Sequence, residues 1–215
     1  MLHRYLVTGT DTDVGKTRVA AALAKALRLA GQTPTVVKLV QTGLDARLPG
    51  DAARAGTLSG CKHVELARFR KPADPWSAAL AEGMPTVHAQ DLARIIEGIN
   101  GAVVAEGAGG LAVPLNGAQN FGTLAVLAKL DIVLAIGLRL GCMNHALLTL
   151  ALCDQLQLRV AGGVLVDRWE KSDPAYVADV RRALQGKLEI FGILPFDPDE
   201  AASVEQGAQL FVPLL

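Results

Sequence analysis

Aromatic residues are scarce: two Trp, two Tyr and five Phe make up 4% of 215 residues, although 51% of the chain is hydrophobic. Val, Leu, Ile and Ala therefore carry the apolar mass, which suits a sheet covered on both faces. Cysteine is scarce too. Cys61, Cys142 and Cys153 are odd in number and form no C-x-x-C pair, which argues against a disulfide framework or a structural zinc site and fits a reducing cytoplasm. Net charge is absent, with 21 Lys and Arg against 21 Asp and Glu, so no broad basic face is expected for nucleic acid or acidic lipid. Mean hydropathy is high at +0.31. Even so, Gly, Pro or charge interrupts every apolar run before the roughly 20 residues that a bilayer span takes. The first apolar stretch, ending at Thr8-Gly9, is too brief for a signal peptide. Length and apolar content together predict one cytoplasmic domain over residues 1–215, with no membrane segment.

What is present is alternation. Apolar, β-branched runs at Tyr5–Val7, Thr35–Val40, Ala102–Ala105, Ile132–Leu138, Val160–Val166 and Glu189–Leu194 read as strands buried on both faces. Between them, Thr17–Ala30, Asp91–Ile99, Asn144–Leu156 and Pro174–Leu184 carry helical periodicity, and Gly31 stands where a helix C-cap is usual. The pattern predicts an α/β fold in three layers, with a mostly parallel central sheet covered by helices on both faces. Gln41–Met84 reads as an irregular excursion, and the segment after Pro195 as a loop-rich tail.

In such a sheet ligands bind beyond the carboxyl ends of the strands. After the first run comes Gly9-Thr10-Asp11-Thr12-Asp13-Val14-Gly15-Lys16-Thr17, a strand, Gly-containing loop, Gly-Lys-Thr and helix that together read as a phosphate loop. Backbone N–H groups at the helix start face phosphate, Lys16 adds a charge, and the Thr17 hydroxyl can ligate Mg²⁺. Its first glycine, Gly9, stands one residue earlier than the usual spacing, which would put glycine at Thr10. Glu106, at the end of an apolar strand before Gly107-Ala108-Gly109-Gly110, suits a Mg²⁺ carboxylate or a plain strand cap. Lys38 ends a buried strand, where it either faces an anion or snorkels to the surface. Asp51, after Pro49-Gly50, reads by itself as a helix N-cap. Arg139 and the turn Gly141–His145 form a second candidate anion site at a helix start. Cys142 and His145 have no recognisable third partner for nucleophilic chemistry, so capping and packing are the better reading for both.

With these residues assembled, the chain resembles the dethiobiotin synthetase family, ATP-dependent carboxylases of the P-loop NTPase superfamily that close a cyclic urea in biotin synthesis. The resemblance rests on the block Val7–Thr17, on Lys38-Leu39-Val40-Gln41-Thr42-Gly43, on Glu106–Gly110 and on Gly141-Cys142-Met143-Asn144-His145-Ala146. It implies a homodimer acting on 7,8-diaminononanoate, CO₂ and a nucleoside triphosphate with Mg²⁺, through a carbamate and then a carbamic-phosphoric anhydride. It implies that Asp13, Val14, Gly15, Lys16, Thr17 and Arg18 hold the triphosphate, that Thr17, Asp51 and Glu106 ligate Mg²⁺, and that Lys16 and Lys38 are catalytic. Gly107, Ala108, Gly109, Asp167, Pro195 and Asp197 would complete the nucleotide site. Thr12, Lys38 and Thr42 would meet the substrate, and Gly141, Cys142 and Asn144 would reach its carboxylate across the dimer. The chain departs from the family in carrying Lys38-Leu39 for Lys-Pro, Thr42 where some members have serine, and Val166-Asp167 for an Asn-Asp pair that reads adenine. An apolar Val cannot read a base edge, so weak discrimination among nucleoside triphosphates is expected. Partition and septum-site ATPases, a rival class, place a signature lysine at the position of Asp11. Cobyrinate-type amidoligases carry a glutaminase domain for which this chain has no room.

Overall fold

The structure, a computed structural model, describes residues 3–168 and 170–215. Among the described residues seven strands form one sheet: β1 (Arg4–Gly9), β2 (Thr35–Lys38), β3 (Lys62–Glu65), β4 (Val103–Gly110), β5 (Asp131–Gly137), β6 (Val160–Val166) and β7 (Ile190–Leu194). Their order is β3-β2-β4-β1-β5-β6-β7, and every neighbouring pair is parallel. The helices are α1 (Lys16–Leu29), α2 (Asp51–Ser59), α3 (Pro75–Ala81), α4 (Ala89–Glu97), α5 (Phe121–Leu127), α6 (Cys142–Gln155), α7 (Pro174–Leu184) and α8 (Glu200–Ala208), with a closing 3₁₀ turn at Gln209–Leu214.

Strand side chains alternate between faces, and so does the core. Tyr5, Val7, Val36, Val104, Val133, Ala135, Val164 and Val166 point to one side, where they pack with α1, Val204 and Ala208 of α8, and Phe211. Leu6, Val37, Val103, Ala105 and Ile132 point to the other, against α3, α4 and α5. Leu134, Ile136 and Leu165 continue that second face under α6 and α7. Helix α1 lies close to its neighbours because Ala20, Ala21, Ala22, Ala24 and Ala26 keep it thin. Gly207 lets α8 approach as closely: a Cβ there would stand 3.1 Å from Ala22 Cβ and 2.3 Å from Leu194 Cδ1. The fully buried Leu23 and Leu27 fill the rest of this contact, each contributing about 1.5–3 kcal/mol of transfer free energy.

Several expectations need correction. The excursion Gln41–Met84 holds α2, β3 and α3. Strand β3 reads Lys-His-Val-Glu because it is the sheet's edge, with Lys62 and His63 exposed, so it lacks the apolar run that marks a central strand. The tail after Pro195 is mostly helical: the Asp199 side chain caps α8 by accepting from Ala201 N and Ala202 N. Strand β4 runs on to Gly110, so Glu106 lies inside it, paired with Val7 and with Lys38, instead of ending it. Asp51 is the first residue of α2 and Gly50 is its N-cap.

Candidate active site

Register brings the site together. Lys38 and Glu106 are paired neighbours on β2 and β4, two residues beyond Val36 and Val104, so their side chains leave the sheet on the α1 side. There the α1 N-terminus delivers Lys16 and Thr17. Asp51 comes from α2, whose start is fixed by Gln41: the Gln41 Oε1 accepts Asp51 N at 2.9 Å. Gly50 makes this approach possible, since a Cβ would lie 2.9 Å from that same oxygen and 2.4 Å from Glu65 Oε2.

The phosphate loop has the backbone its role requires. Asp13 and Gly15 take left-handed conformations, φ 54° and 89°. The early glycine of the motif is explained by contact: a Cβ on Gly9 would stand 2.6 Å from Val14 Cγ2 and 3.1 Å from Lys16 Nζ. Val14 is buried and packs under the loop. Lys16 donates to the carbonyl of Asp11 at 2.7 Å. Burial pulls its amine down to about 8, an effect that Glu106 only partly offsets.

Glu106 is the hub. Its Oε1 accepts from Thr17 Oγ1 at 3.0 Å and from Lys38 Nζ at 2.7 Å. Its Oε2 is buried and has no partner among the described residues. Lys38 also meets Asp51 Oδ2 at 2.6 Å and the Gly107 carbonyl at 3.2 Å. Burial alone would lower the Lys38 pKa, but Glu106 and Asp51 more than reverse this and hold it above the ordinary lysine value. Lys38 is only 3% exposed, so of the two readings of its strand-end position, the one in which it faces anions holds.

A cleft of about 660 Å³ opens over these groups. It is lined by Thr12, Asp13, Gly15, Lys16, Thr17, Arg18, Lys38, Thr42, Asp51, Glu106, Ala108, Gly109 and Asp197 among the residues expected from sequence. Val14, Gly107, Asp167, Pro195, Gly141, Cys142 and Asn144 do not line it. The Arg18 guanidinium organises one wall, donating to the carbonyls of Asp167 at 2.7 Å and Pro195 at 3.1 Å and to Ser203 Oγ at 3.3 Å. The Asp167 carboxylate accepts from Ser172 N and Oγ. Gly141, Cys142 and Asn144 stand at the start of α6. The Cys142 thiol lies 3.3 Å from Tyr176 Oη, which itself donates to the Arg139 carbonyl, a packing role as the sequence suggested. Arg139 also pairs with Asp11.

Sequence reasoning missed other walls of the cleft. Arg54 on α2 and Glu200 on α8 form an ion pair across its rim, and Phe196 and Arg168 line it. Arg168 gave a signal in standing just after β6, and its Nε donates to the Asp13 carbonyl at 2.9 Å. Arg54 and Glu200 gave none: the short helix that Asp51 opens was foreseen without its reach to the cleft, and α8 was read as part of a loop-rich tail.

The donor set suits a hard divalent cation. Among the described residues no three His, Cys, Asp or Glu side chains gather as a metal cluster. Two carboxylates and a hydroxyl, Asp51, Glu106 and Thr17, nonetheless supply oxygen donors beside a phosphate loop, and the orphaned Glu106 Oε2 is the buried acceptor that such an ion would satisfy.

A family model described as an AAA domain matches residues 3–203. An ATP-dependent dethiobiotin synthetase of Rhodococcus jostii is 42% identical, over 94% of this chain and 90% of its own. One of Anaeromyxobacter dehalogenans is 36% identical over 93% of each chain. Among solved structures, a ParA family ATPase from Chlorobium tepidum matches 99% of this chain and 93% of its own with a TM-score of 0.58. Its 13% identity extends the likeness to the fold alone.

Proposed function

The chain belongs to the ATP-dependent dethiobiotin synthetase family, and from that premise we propose how its cleft makes dethiobiotin from 7,8-diaminononanoate and CO₂. The enzyme is a ligase that uses ATP. One amine of the diamine adds to CO₂ and loses a proton, giving a carbamate. A carbamate oxygen attacks the γ-phosphorus and ADP leaves. The second amine then attacks the carbamoyl carbon, and phosphate departs as the ring closes.

The carbamate, the γ-phosphoryl group and the substrate carboxylate are all anionic, so the work of the protein is positioning and charge stabilisation. The observation that carries the reading is the meeting of Thr17 and Lys38, from a helix start and a strand end, on the same buried carboxylate, Glu106, with Lys16 beside them in the phosphate loop. Lys16 and the N–H groups of the loop Asp13–Thr17 hold the triphosphate, and Lys38 serves the carbamate. Thr17, Asp51 and Glu106 would hold Mg²⁺, which when bound neutralises phosphate charge. Thr12 and Thr42 line the cleft, where they would meet the diamine. Asp197 lines the cleft, and Asp167 and Pro195, whose carbonyls Arg18 holds, stand behind that wall, which would meet the nucleotide.

A homodimer completes the site. Gly141, Cys142 and Asn144 lie outside their own cleft. The surface beside them is apolar, with Leu140 90% exposed and Leu147 and Leu148 also on view. That surface supports a second copy of the chain, into whose cleft this turn reaches for the substrate carboxylate.

Incubation with diaminononanoate, bicarbonate, Mg²⁺ and ATP should yield dethiobiotin and phosphate in equal amounts. Lys38→Ala should lower turnover by about a hundredfold or more. No product from the unmodified protein, or full turnover by Lys38→Ala, would overturn the reading.

A further inference from the structure

Lys38 has two destinations. Serving the carbamate, it must project into the cleft. In the structure its ammonium is satisfied elsewhere: three hydrogens meet three acceptors, Glu106 Oε1 at 2.7 Å, Asp51 Oδ2 at 2.6 Å and the Gly107 carbonyl at 3.2 Å. It is 3% exposed, and Glu106 is 1% exposed. Nothing is left over to hold a substrate.

The two carboxylates that hold the ammonium are the two that suit a divalent cation. Charge arithmetic decides whether both cations fit. Asp51 and Glu106 carry two negative charges, which Lys38 and the nearby Lys16 already balance. A divalent ion added beside an unmoved Lys38 would leave a buried net charge of about two, and burying uncompensated charge is strongly unfavourable. Exchange halves this excess, because the ammonium leaves as the ion arrives. Glu106 Oε2, buried without a partner while Oε1 carries both Thr17 and Lys38, is what a one-point ammonium leaves behind and a larger coordination shell takes up.

We propose that the Lys38 ammonium stands in for the divalent cation between Asp51 and Glu106, and that the two occupy this place by turns. Asp51 and Glu106 are then positioning residues for Lys38 as well as candidate metal ligands. The Lys38 ammonium is released from its carboxylates only once the cation is loaded, so carbamate capture waits for a charged nucleotide site. The destination of Lys38 rests on the function proposed above; the exchange itself does not.

Two measurements on the nucleotide-free protein test it without turnover. In the first, Mn²⁺ is titrated and bound ion is read by electron paramagnetic resonance. Lys38→Met should bind Mn²⁺ about tenfold or more tightly than the unmodified chain, the equivalent of losing one charge-assisted competitor. Lys38→Arg, which keeps the charge, should show no such gain. Unchanged or weaker binding by Lys38→Met overturns the proposal. Removing a positive charge would tighten binding without any exchange, so the second measurement uses the unmodified chain. Lys38 is modified by an amine-reactive reagent at fixed pH and read by mass spectrometry, with exposed Lys62 as internal reference. Exchange predicts that Mg²⁺ raises the Lys38 rate several-fold relative to Lys62, and that the rise saturates with cation binding. A Lys38 that stays protected at saturating Mg²⁺ overturns the proposal, even if Lys38→Met does not fold. Failure of the family reading looks different: it is absence of dethiobiotin, whatever the labelling shows.

Discussion

Lys16 shows how far one buried amine can be read. Its position in Gly15-Lys16-Thr17 was legible from sequence, but its charge was not: burial brings the pKa from 10.5 to about 8. A polyanionic nucleotide favours the charged form. Below about pH 8 the amine already carries its proton, whereas above it binding must take one up. Nucleotide affinity of the metal-free protein should therefore be flat from pH 6 to 7.5 and fall by up to about tenfold per unit beyond pH 8. Lys16→Arg should remove that fall. Equilibrium dialysis with labelled ATP across this range measures it. The sign for folding is opposite: the unfolded chain holds the proton more tightly, so this group adds stability as pH rises from about 8 toward 10.5. Val166 belongs to the same scale. It is fully buried, and a Cβ on Gly15 would stand 2.8 Å from its Cγ1, so it packs under the loop and offers no polar edge to a base. ATP, CTP and GTP at equal concentration should support turnover within about tenfold of one another, since an apolar contact discriminates weakly. A strong preference for ATP would show that other groups read the base. Asp51 marks the limit of such reading: a carboxylate after Gly50 looks like a cap, and only the placement of α2, whose first N–H Gln41 holds, brings Lys38 beside it.

Elements with a clear apolar run or period announced themselves, and those without one did not. Strand β6 and helix α7 fall where the apolar runs put them, Val160–Val166 and Pro174–Leu184. Strand β3 was invisible because an edge strand may carry charge, and α8 because Glu-Ala-Ala-Ser-Val-Glu-Gln-Gly-Ala has little apolar periodicity. The element that most affects the site is the turn from β1 into α1. Gly9→Ala brings a methyl within 2.6 Å of Val14 Cγ2 and 3.1 Å of Lys16 Nζ. It should weaken nucleotide binding by about tenfold or more while leaving far-ultraviolet circular dichroism unchanged, an outcome of displacing a positioned group without unfolding the sheet. Helix α8 hangs on Arg18, whose guanidinium reaches Pro195, Ser203 and Asp167. Arg18→Ala should speed amide exchange over 195–208 ahead of the sheet and lower global stability by about 2–3 kcal/mol, the cost of orphaning buried carbonyls.

At the scale of the molecule, a net charge of zero hides a local arrangement: lysines and carboxylates face one another at a few strand ends, and the outer surface balances itself. The exposed Leu140, Leu147 and Leu148 break that pattern. Leu148→Glu should shift sedimentation toward the monomer and reduce turnover in step with dissociation, with turnover recovering at high protein concentration. A monomeric, fully active Leu148→Glu protein would remove the second copy from the site.

The strand order carries a consequence for synthesis. β1 is made before both of its partners, yet it lies in the middle of the sheet, and those partners, β4 and β5, begin at Val103 and Asp131. A chain emerging from the ribosome therefore holds the apolar segment Tyr5–Val7 and the phosphate loop without a sheet to pair with until the segments starting at Val103 and Asp131 have been translated. Its contacts are distant in sequence, which makes for slow folding and a long interval during which an unsatisfied strand edge is on offer to other chains. The scarcity of charge in β1, an asset at the centre of the finished sheet, is a liability during that interval, when early shielding of this segment by a chaperone would help.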